Sequence, residues 1–110
     1  MDGEFPVRDF LNSLGTRERA KVVQVIKRLE LDGPTLPFPY SSQVTGKLRE
    51  LRTQYGKSKY RVFYYGDRLR TFVLLHGIRK QNEALTNQDK QIAFERMEID
   101  IELKKRGNKE

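Results

Sequence analysis

The chain has 110 residues, a net charge of +7, a single histidine and no cysteine. This length suits one domain, predicted to span residues 1–110. The lack of cysteine excludes disulfides, and with one histidine it leaves too few ligands for a zinc site. We expect no metal and no cofactor. The sequence contains no run of about 18 apolar residues and no apolar signal region, so a soluble cytoplasmic protein is expected.

Two helices are predicted at the N-terminal end. Apolar residues recur at helical spacing from Val7 to Leu14, and Gly15 ends this short helix. Thr16 is predicted to cap a second helix, which ends at Gly33. The very short link between them predicts an αα-hairpin.

Three antiparallel strands are predicted next, after an extended connector that contains three prolines. The segments 60–66 and 69–78 are rich in aromatic and branched residues, and a short turn would join them as a hairpin. The preceding segment 46–52, GKLRELR, is less regular because Leu48 and Leu51 fall on opposite parities. This irregularity predicts a bulge or a late strand start.

A third helix is predicted over residues 87–107. One apolar stripe comprises Ala93, Phe94, Met97 and Ile101, and a narrower stripe of Ile92, Ile99 and Leu103 is interpreted as a contact surface or an oligomeric helix end. The element order predicts an α+β domain in which two N-terminal helices pack on a small three-stranded antiparallel sheet, followed by a C-terminal helix. A sheet that helices cover on one side only has a second face free to carry charge.

The positive charge is concentrated in one segment. Residues 47–80 contain ten Lys and Arg against two acidic residues, which leaves +8, whereas the rest of the chain has 12 cations and 13 anions. A localised excess of this kind indicates a polyanionic partner, of which nucleic acid is the first candidate. The alternative is a solvated face of the sheet.

Alternation along the strands assigns the charged residues to faces. Arg61, Phe63 and Tyr65 share one parity, and the other holds Tyr60, Val62 and Tyr64. In the last strand, one parity comprises Phe72, Leu74, His76, Ile78 and Lys80. A concave face with Arg61, Lys80 and His76 among tyrosines would hold phosphates and stack bases, as single-stranded RNA binding requires.

The residue inventory permits metal-free RNA cleavage. In that reaction the 2′-hydroxyl attacks the adjacent phosphodiester, so the protein must accept one proton, neutralise the phosphorane and protonate the leaving 5′-oxygen. The residue types that these steps need all occur in the charged segment, as Glu50, Tyr55, Lys57, Lys59, Tyr60 and His76. The alternative for His76 is a satisfied core histidine.

A series of motifs resembles a known family. The connector LPFPY is followed by GKLRELR, a YGK loop, YRVFYY, LLHGIRKQ and a helix with AFERM. In this order the motifs resemble the HigB-like branch of the RelE/ParE toxin superfamily. Within that branch they resemble the phage-derived, host-inhibition-like proteins. The resemblance implies the toxin of a type II toxin–antitoxin pair that cleaves translated mRNA in the ribosomal A site without metal. Its implied partners are mRNA, the ribosome and a co-expressed antitoxin, usually with a helix-turn-helix domain.

The resemblance also assigns roles to residues. Arg61 would bind the scissile phosphate, with Arg79 or Lys80 as the second basic residue. The strand before the hairpin would bring Glu50 and Arg52 into the site, together with Arg49, and the proton acceptor would be Glu50, His76 or a loop lysine. The predicted catalytic set is Arg61, Glu50, His76 and Lys80, and the predicted RNA- or ribosome-binding set is Arg49, Arg52, Lys57, Lys59, Tyr60 and Arg79.

Family members begin with a strand, for which residues 1–5 are too short. The expected sheet therefore lacks that strand or is completed by another chain, as a homodimer or a toxin–antitoxin hetero-oligomer. Two other functions compete with cleavage. One is a ParE-like toxin that inhibits gyrase without cleaving RNA, and the other is an inactive RNA-binding module.

Overall fold

A computed structural model of the chain describes residues 6–80 and 87–107. In chain order the elements are α1 (Pro6–Asn12), α2 (Thr16–Asp32), a 3₁₀ turn (Gly33–Thr35), β1 (Ser41–Thr45), β2 (Leu48–Tyr55), β3 (Ser58–Gly66), β4 (Phe72–Lys80) and α3 (Asn87–Gly107). No helix in these two ranges is long and apolar enough to cross a membrane.

The four strands form one antiparallel sheet in the order β1-β2-β3-β4. The α+β class is confirmed, but the expectation of three strands is wrong. The additional strand is β1, and its polar sequence SSQVT lacks the apolar alternation by which strands are recognised. It folds back on β2 through a turn at Gly46, whose φ of 53° favours glycine. The expected absence of an N-terminal strand concerns residues 1–5, which lie outside the described residues.

The helices α1 and α2 cover one side of the sheet, here called the α1–α2 face. Buried residues of α2 pack there against alternate residues of the central strands: Val22, Val25 and Leu29 against Leu51, Tyr60, Val62 and Tyr64. At the start of α2, the N–H of Gly15 donates to Glu18 Oε1 (3.3 Å), which satisfies one of the donors that a helix N-terminus leaves free.

The helix α3 packs on the opposite side, here called the α3 face. Ala93 and Met97 are buried against Leu48, Phe63 and Tyr65. The expectation that one face of the sheet lies free of helices is therefore wrong for this part of the sheet. The physical reason is in β3, where residues of both parities are large and apolar, so both faces must be covered.

A β-bulge divides β4. Phe63 pairs with His76 whereas Tyr64 pairs with Leu74, so Leu75 is the extra residue on β4. The bulge overturns the parity assignment made from sequence. Phe72 and Leu74 lie on the α1–α2 face, and His76, Ile78 and Lys80 lie on the α3 face together with Leu75.

A charged network ties the last turns of α3 to the β3–β4 turn. Lys104 Nζ lies 2.5 Å from Asp67 Oδ2 and 2.8 Å from Asp100 Oδ2, and the Tyr65 hydroxyl donates to Asp100. Burial together with the carboxylate of Asp100 raises the pKa of Tyr65. The network fixes one end of α3 and leaves the other end of the α3 face for the charged strand residues.

Candidate nucleic-acid interface

Six of the ten residues predicted from sequence lie on the α3 face. The strand register pairs Arg52 with Arg61, Glu50 with Phe63, Phe63 with His76, and Lys59 with Lys80. These six residues are called the α3-face cluster: Glu50, Arg52, Lys59, Arg61, His76 and Lys80.

A buried ion pair forms the centre of the α3-face cluster. Arg61 Nε lies 3.4 Å from Glu50 Oε1, and each side chain is only 5% exposed. Arg61 Nη1 also donates to the backbone oxygen of Tyr60 (3.0 Å), and Arg52 Nη1 lies 3.5 Å from the same Glu50 oxygen. One carboxylate thus faces two guanidinium groups, so the three side chains together carry a positive excess.

The lysines extend this positive excess toward the end of the sheet. Lys80 is buried and stands beside Lys59 in the register of β3 and β4. A carboxylate, two guanidinium groups and an ammonium group are the types that can accept a proton, hold a phosphate and donate a proton. The chemistry predicted from sequence therefore has its functional groups on one face.

His76 connects β4 to α3. Its Nε2 lies 3.2 Å from Asp89 Oδ1, and Arg96 Nη1 lies 3.2 Å from its Nδ1. The ring stacks on Phe63 with centroids 5.9 Å apart. Because Arg96 only donates, Nδ1 is the acceptor and the proton of the neutral ring is on Nε2. In this arrangement His76 positions the start of α3, while its predicted catalytic role stays a prediction.

The remaining predicted binding residues lie elsewhere. Arg49, Tyr60 and Arg79 are on the α1–α2 face, because they alternate with the residues of the α3-face cluster. Lys57 is in the β2–β3 turn and lines an open cavity of about 500 Å³ together with Arg17 of α2. The predicted cations of the strands are close together in sequence, but strand alternation divides them between the two faces of the sheet.

Glu18 holds two of these residues in place. It accepts a hydrogen bond from the Tyr60 hydroxyl, and Arg79 Nε lies 3.7 Å from its Oε2. The bond from Tyr60 lowers the pKa of Glu18, and burial raises the pKa of Tyr60. Arg79 Nε also donates to Ser58 Oγ (3.1 Å). This arrangement favours a structural bond at Tyr60 over a base-stacking role.

Sequence analysis missed three residues that hold predicted site residues in place: Glu18 for Tyr60 and Arg79, and Asp89 and Arg96 for His76. A signal was present for Glu18, which stands three residues after the helix N-cap. A carboxylate at this position can accept a hydrogen bond from the backbone N–H of the N-cap residue. Asp89 and Arg96 gave no comparable signal, because their contacts with His76 depend on where α3 crosses the sheet.

The described residues contain no group of three or more His, Asp or Glu side chains that could hold a metal ion. Within the same ranges, every buried polar side-chain atom has a hydrogen-bond partner. The polar groups of the α3 face therefore form a satisfied network, in agreement with its burial.

Comparison with known proteins gives one family match. The profile of the family described as phage derived protein Gp49-like (DUF891) matches residues 9–98, from α1 through the whole sheet into α3. No curated protein and no solved structure matches the chain significantly. The match includes the complete α3-face cluster.

Proposed function

The chain belongs to the phage-derived Gp49-like family, a toxin-like branch of the RelE/HigB-like toxins, and on this basis we propose that it is a HigB-like toxin that cleaves mRNA on the ribosome. The observation that supports cleavage is the Glu50–Arg61 pair within the α3-face cluster. The proposed partners are the ribosome, its mRNA and a cognate helix-turn-helix antitoxin, all in the cytoplasm.

The proposed reaction uses four side chains. Glu50 accepts the proton of the 2′-hydroxyl as that oxygen attacks the adjacent phosphorus. Arg61 and Arg52 stabilise the charge that develops on the phosphorane oxygens. The P–O5′ bond breaks, the leaving oxygen takes a proton from Lys80, and the products are a 2′,3′-cyclic phosphate and a 5′-hydroxyl.

Substrate binding requires a local rearrangement. Arg61 now pairs with Glu50 and with a backbone oxygen, and it is 4% exposed. A phosphate must therefore replace the carboxylate as the partner of Arg61, and this exchange frees Glu50 to act as a base. Such an exchange needs a substrate held firmly against the face, which favours mRNA positioned by the ribosome over free RNA.

The test uses purified ribosomes that translate a defined mRNA, with new 5′ ends mapped by primer extension. We expect Glu50→Gln and Arg61→Lys to reduce the cleavage rate by about a hundredfold each, the usual cost of one preorganised electrostatic group. The matched control is Arg106→Gln, because Arg106 is exposed and lies on α3. Melting curves must show that all variants fold. Cleavage at the wild-type rate in both site variants would rule out the proposed site.

A second candidate is favoured by burial. Glu50 and Arg61 are both buried, as expected of a structural ion pair in a toxin that acts by binding. The candidate is a protein that binds without cleaving RNA, either a ParE-like inhibitor of gyrase or an inactive RNA-binding module. A plasmid supercoiling assay distinguishes them: inhibition of gyrase by the purified protein, with no mRNA cleavage on ribosomes, would favour the ParE-like function.

A further inference from the structure

A separate cavity lies on the α1–α2 face, near the β3–β4 turn. Its volume is about 660 Å³, within the range typical of small-molecule sites. It is lined by Pro34, Arg49, Tyr64, Gly66, Asp67, Arg70 and Phe72. The proposed cleavage site is on the other side of the sheet and shares none of these residues.

Two arginines supply positive charge to this cavity. Arg49 is held in place because its Nε donates to Ser41 Oγ (3.1 Å), which in turn bonds the Tyr64 hydroxyl (2.6 Å). Arg70 is exposed and has a φ of 64°, in the left-handed region that residues with a Cβ rarely adopt. The backbone there would suit glycine better, and strain of this kind is typical of ligand-binding sites, which supports a functional role for the Arg70 side chain.

The one acidic residue of the lining does not cancel this charge. Asp67 Oδ1 accepts hydrogen bonds from the N–H groups of Leu69 and Thr71 (2.9 Å each), and Oδ2 accepts one from Lys104 Nζ (2.5 Å). The bond from Lys104 lowers the pKa of Asp67, and the carboxylate is 4% exposed. Both of its oxygens are occupied by donors, so an anion in the cavity faces the two guanidinium groups.

The cavity also has an aromatic wall. Tyr64 and Phe72 meet edge to face, with centroids 5.9 Å apart and an interplanar angle of 74°. Tyr64 is buried, whereas Phe72 is partly exposed. A planar ligand can stack on Phe72 while a charged group attached to it reaches the arginines.

We propose that this cavity binds a phosphorylated nucleoside, with the phosphate between Arg49 and Arg70 and the base against Phe72. Two guanidinium groups match a terminal phosphate, which carries nearly two charges, better than the single charge of a peptide carboxylate. The ligand is either a free mononucleotide or the phosphorylated end of an RNA strand. The inference does not depend on RNA cleavage at the α3-face cluster.

Isothermal titration calorimetry tests the site directly. The probes are uridine 5′-monophosphate, adenosine 5′-monophosphate, the two nucleosides, inorganic phosphate, a tetranucleotide with and without a 5′-phosphate, and an acidic peptide. Mononucleotides are expected to bind at least about tenfold more tightly than nucleosides or phosphate alone, because charge-assisted hydrogen bonds and stacking act together. Tighter binding of the phosphorylated tetranucleotide than of the mononucleotides would identify an RNA end as the source.

The key variant is Arg70→Gly, which removes the guanidinium group at a backbone conformation that glycine prefers. We expect mononucleotide affinity to fall about tenfold with no loss of thermal stability, and Arg106→Gln to bind like the wild type. Unchanged affinity in Arg70→Gly, equal binding of nucleosides and nucleotides, or tighter binding of an acidic peptide than of mononucleotides would each overturn the proposal.

Discussion

The Glu50–Arg61 pair explains how charge can occupy the middle of a sheet. Each side chain is 5% exposed, and the two atoms at the contact lie 3.4 Å apart. Burying either charge alone would be costly, since the interior does not replace its hydration. Each charge therefore offsets the cost of burying the other, and Arg52 adds a second cation at 3.5 Å from Glu50.

Removing one member of the pair is predicted to destabilise the fold. Arg61→Ala should cost about 3–5 kcal/mol in the free energy of unfolding, because Glu50 remains buried without its closest cation. The double variant Glu50→Leu/Arg61→Met should come within about 1 kcal/mol of the wild type, since an apolar pair needs no hydration. Urea denaturation measures both. If the double variant is as unstable as the single one, the pair is not the cause.

The helices and the central strands could be predicted from sequence, but the way in which they combine could not. Apolar spacing identified α2 and α3, and the run of aromatic and branched residues identified β3. The strand β1 lacks an apolar pattern, and the bulge at Leu75 depends on tertiary packing, where Arg96 donates to the Leu75 carbonyl (2.9 Å). The sequence thus named the residues of the α3-face cluster as one group. It also included Arg49, Tyr60 and Arg79, which lie on the opposite face of the sheet.

The contact between α1 and β4 depends on the absence of a side chain at Gly77. A Cβ there would lie 2.3 Å from Phe10 Cδ2. Gly77→Ala should therefore displace α1 and cost about 1–3 kcal/mol, as is typical of an overpacked core. Gly66→Ala is the matched control, since its Cβ would meet Phe72 at an ordinary 3.5 Å. In a Phe10→Ala background the cost of Gly77→Ala should fall; an equal cost there would contradict the assigned contact.

The link between α3 and the β3–β4 turn predicts a loss of stability at both ends of the pH scale. The pKa of Asp67 is lowered by its bond from Lys104, so its contribution is present above the ordinary value of 3.8 and is lost in more acidic solution. Burial alone would lower the pKa of Lys104, but bonds to Asp100 and Asp67 raise it. Its contribution is thus present below 10.5 and is lost at higher pH.

Thermal melts across pH would measure this dependence. Asp67→Asn should lower stability at neutral pH and show a smaller further loss in acid than the wild type. Glu102→Gln is the control, because its ion pair with Arg106 is exposed on both sides. Parallel acid profiles for the wild type and Asp67→Asn would show that another group governs the acid response.

At the scale of the whole molecule, the basic segment 47–80 serves both sides of the sheet. Of its ten cations, four belong to the α3-face cluster and two, Arg49 and Arg70, line the cavity on the α1–α2 face. A protein with cations on two faces can contact a polyanion over a larger area than one with a single basic groove. The cations on the strands are divided between the two faces because successive strand residues point to opposite faces, and not because the sequence has two separate basic segments.

Binding of single-stranded RNA is predicted to weaken steeply with salt. Each phosphate that a Lys or Arg neutralises adds about −0.7 to the slope of log affinity against log salt. Fluorescence anisotropy of a labelled RNA between about 50 and 200 mM salt measures the slope. Arg52→Gln should reduce its magnitude by about 0.7 and Arg106→Gln should not change it. Affinity that stays constant over this range would exclude an electrostatic interface.

The extra residue of β4 also determines how the strand tolerates a change of length. Leu75 adds one residue to β4, so the residues after it face the side opposite to the one that continuous alternation from Phe72 and Leu74 would give them. A relative whose strand is one residue shorter at this point would still direct its equivalents of His76, Ile78 and Lys80 to the α3 face. A single deletion there is consequently conservative for the charged face, whereas a single deletion between 76 and 80 would reverse it.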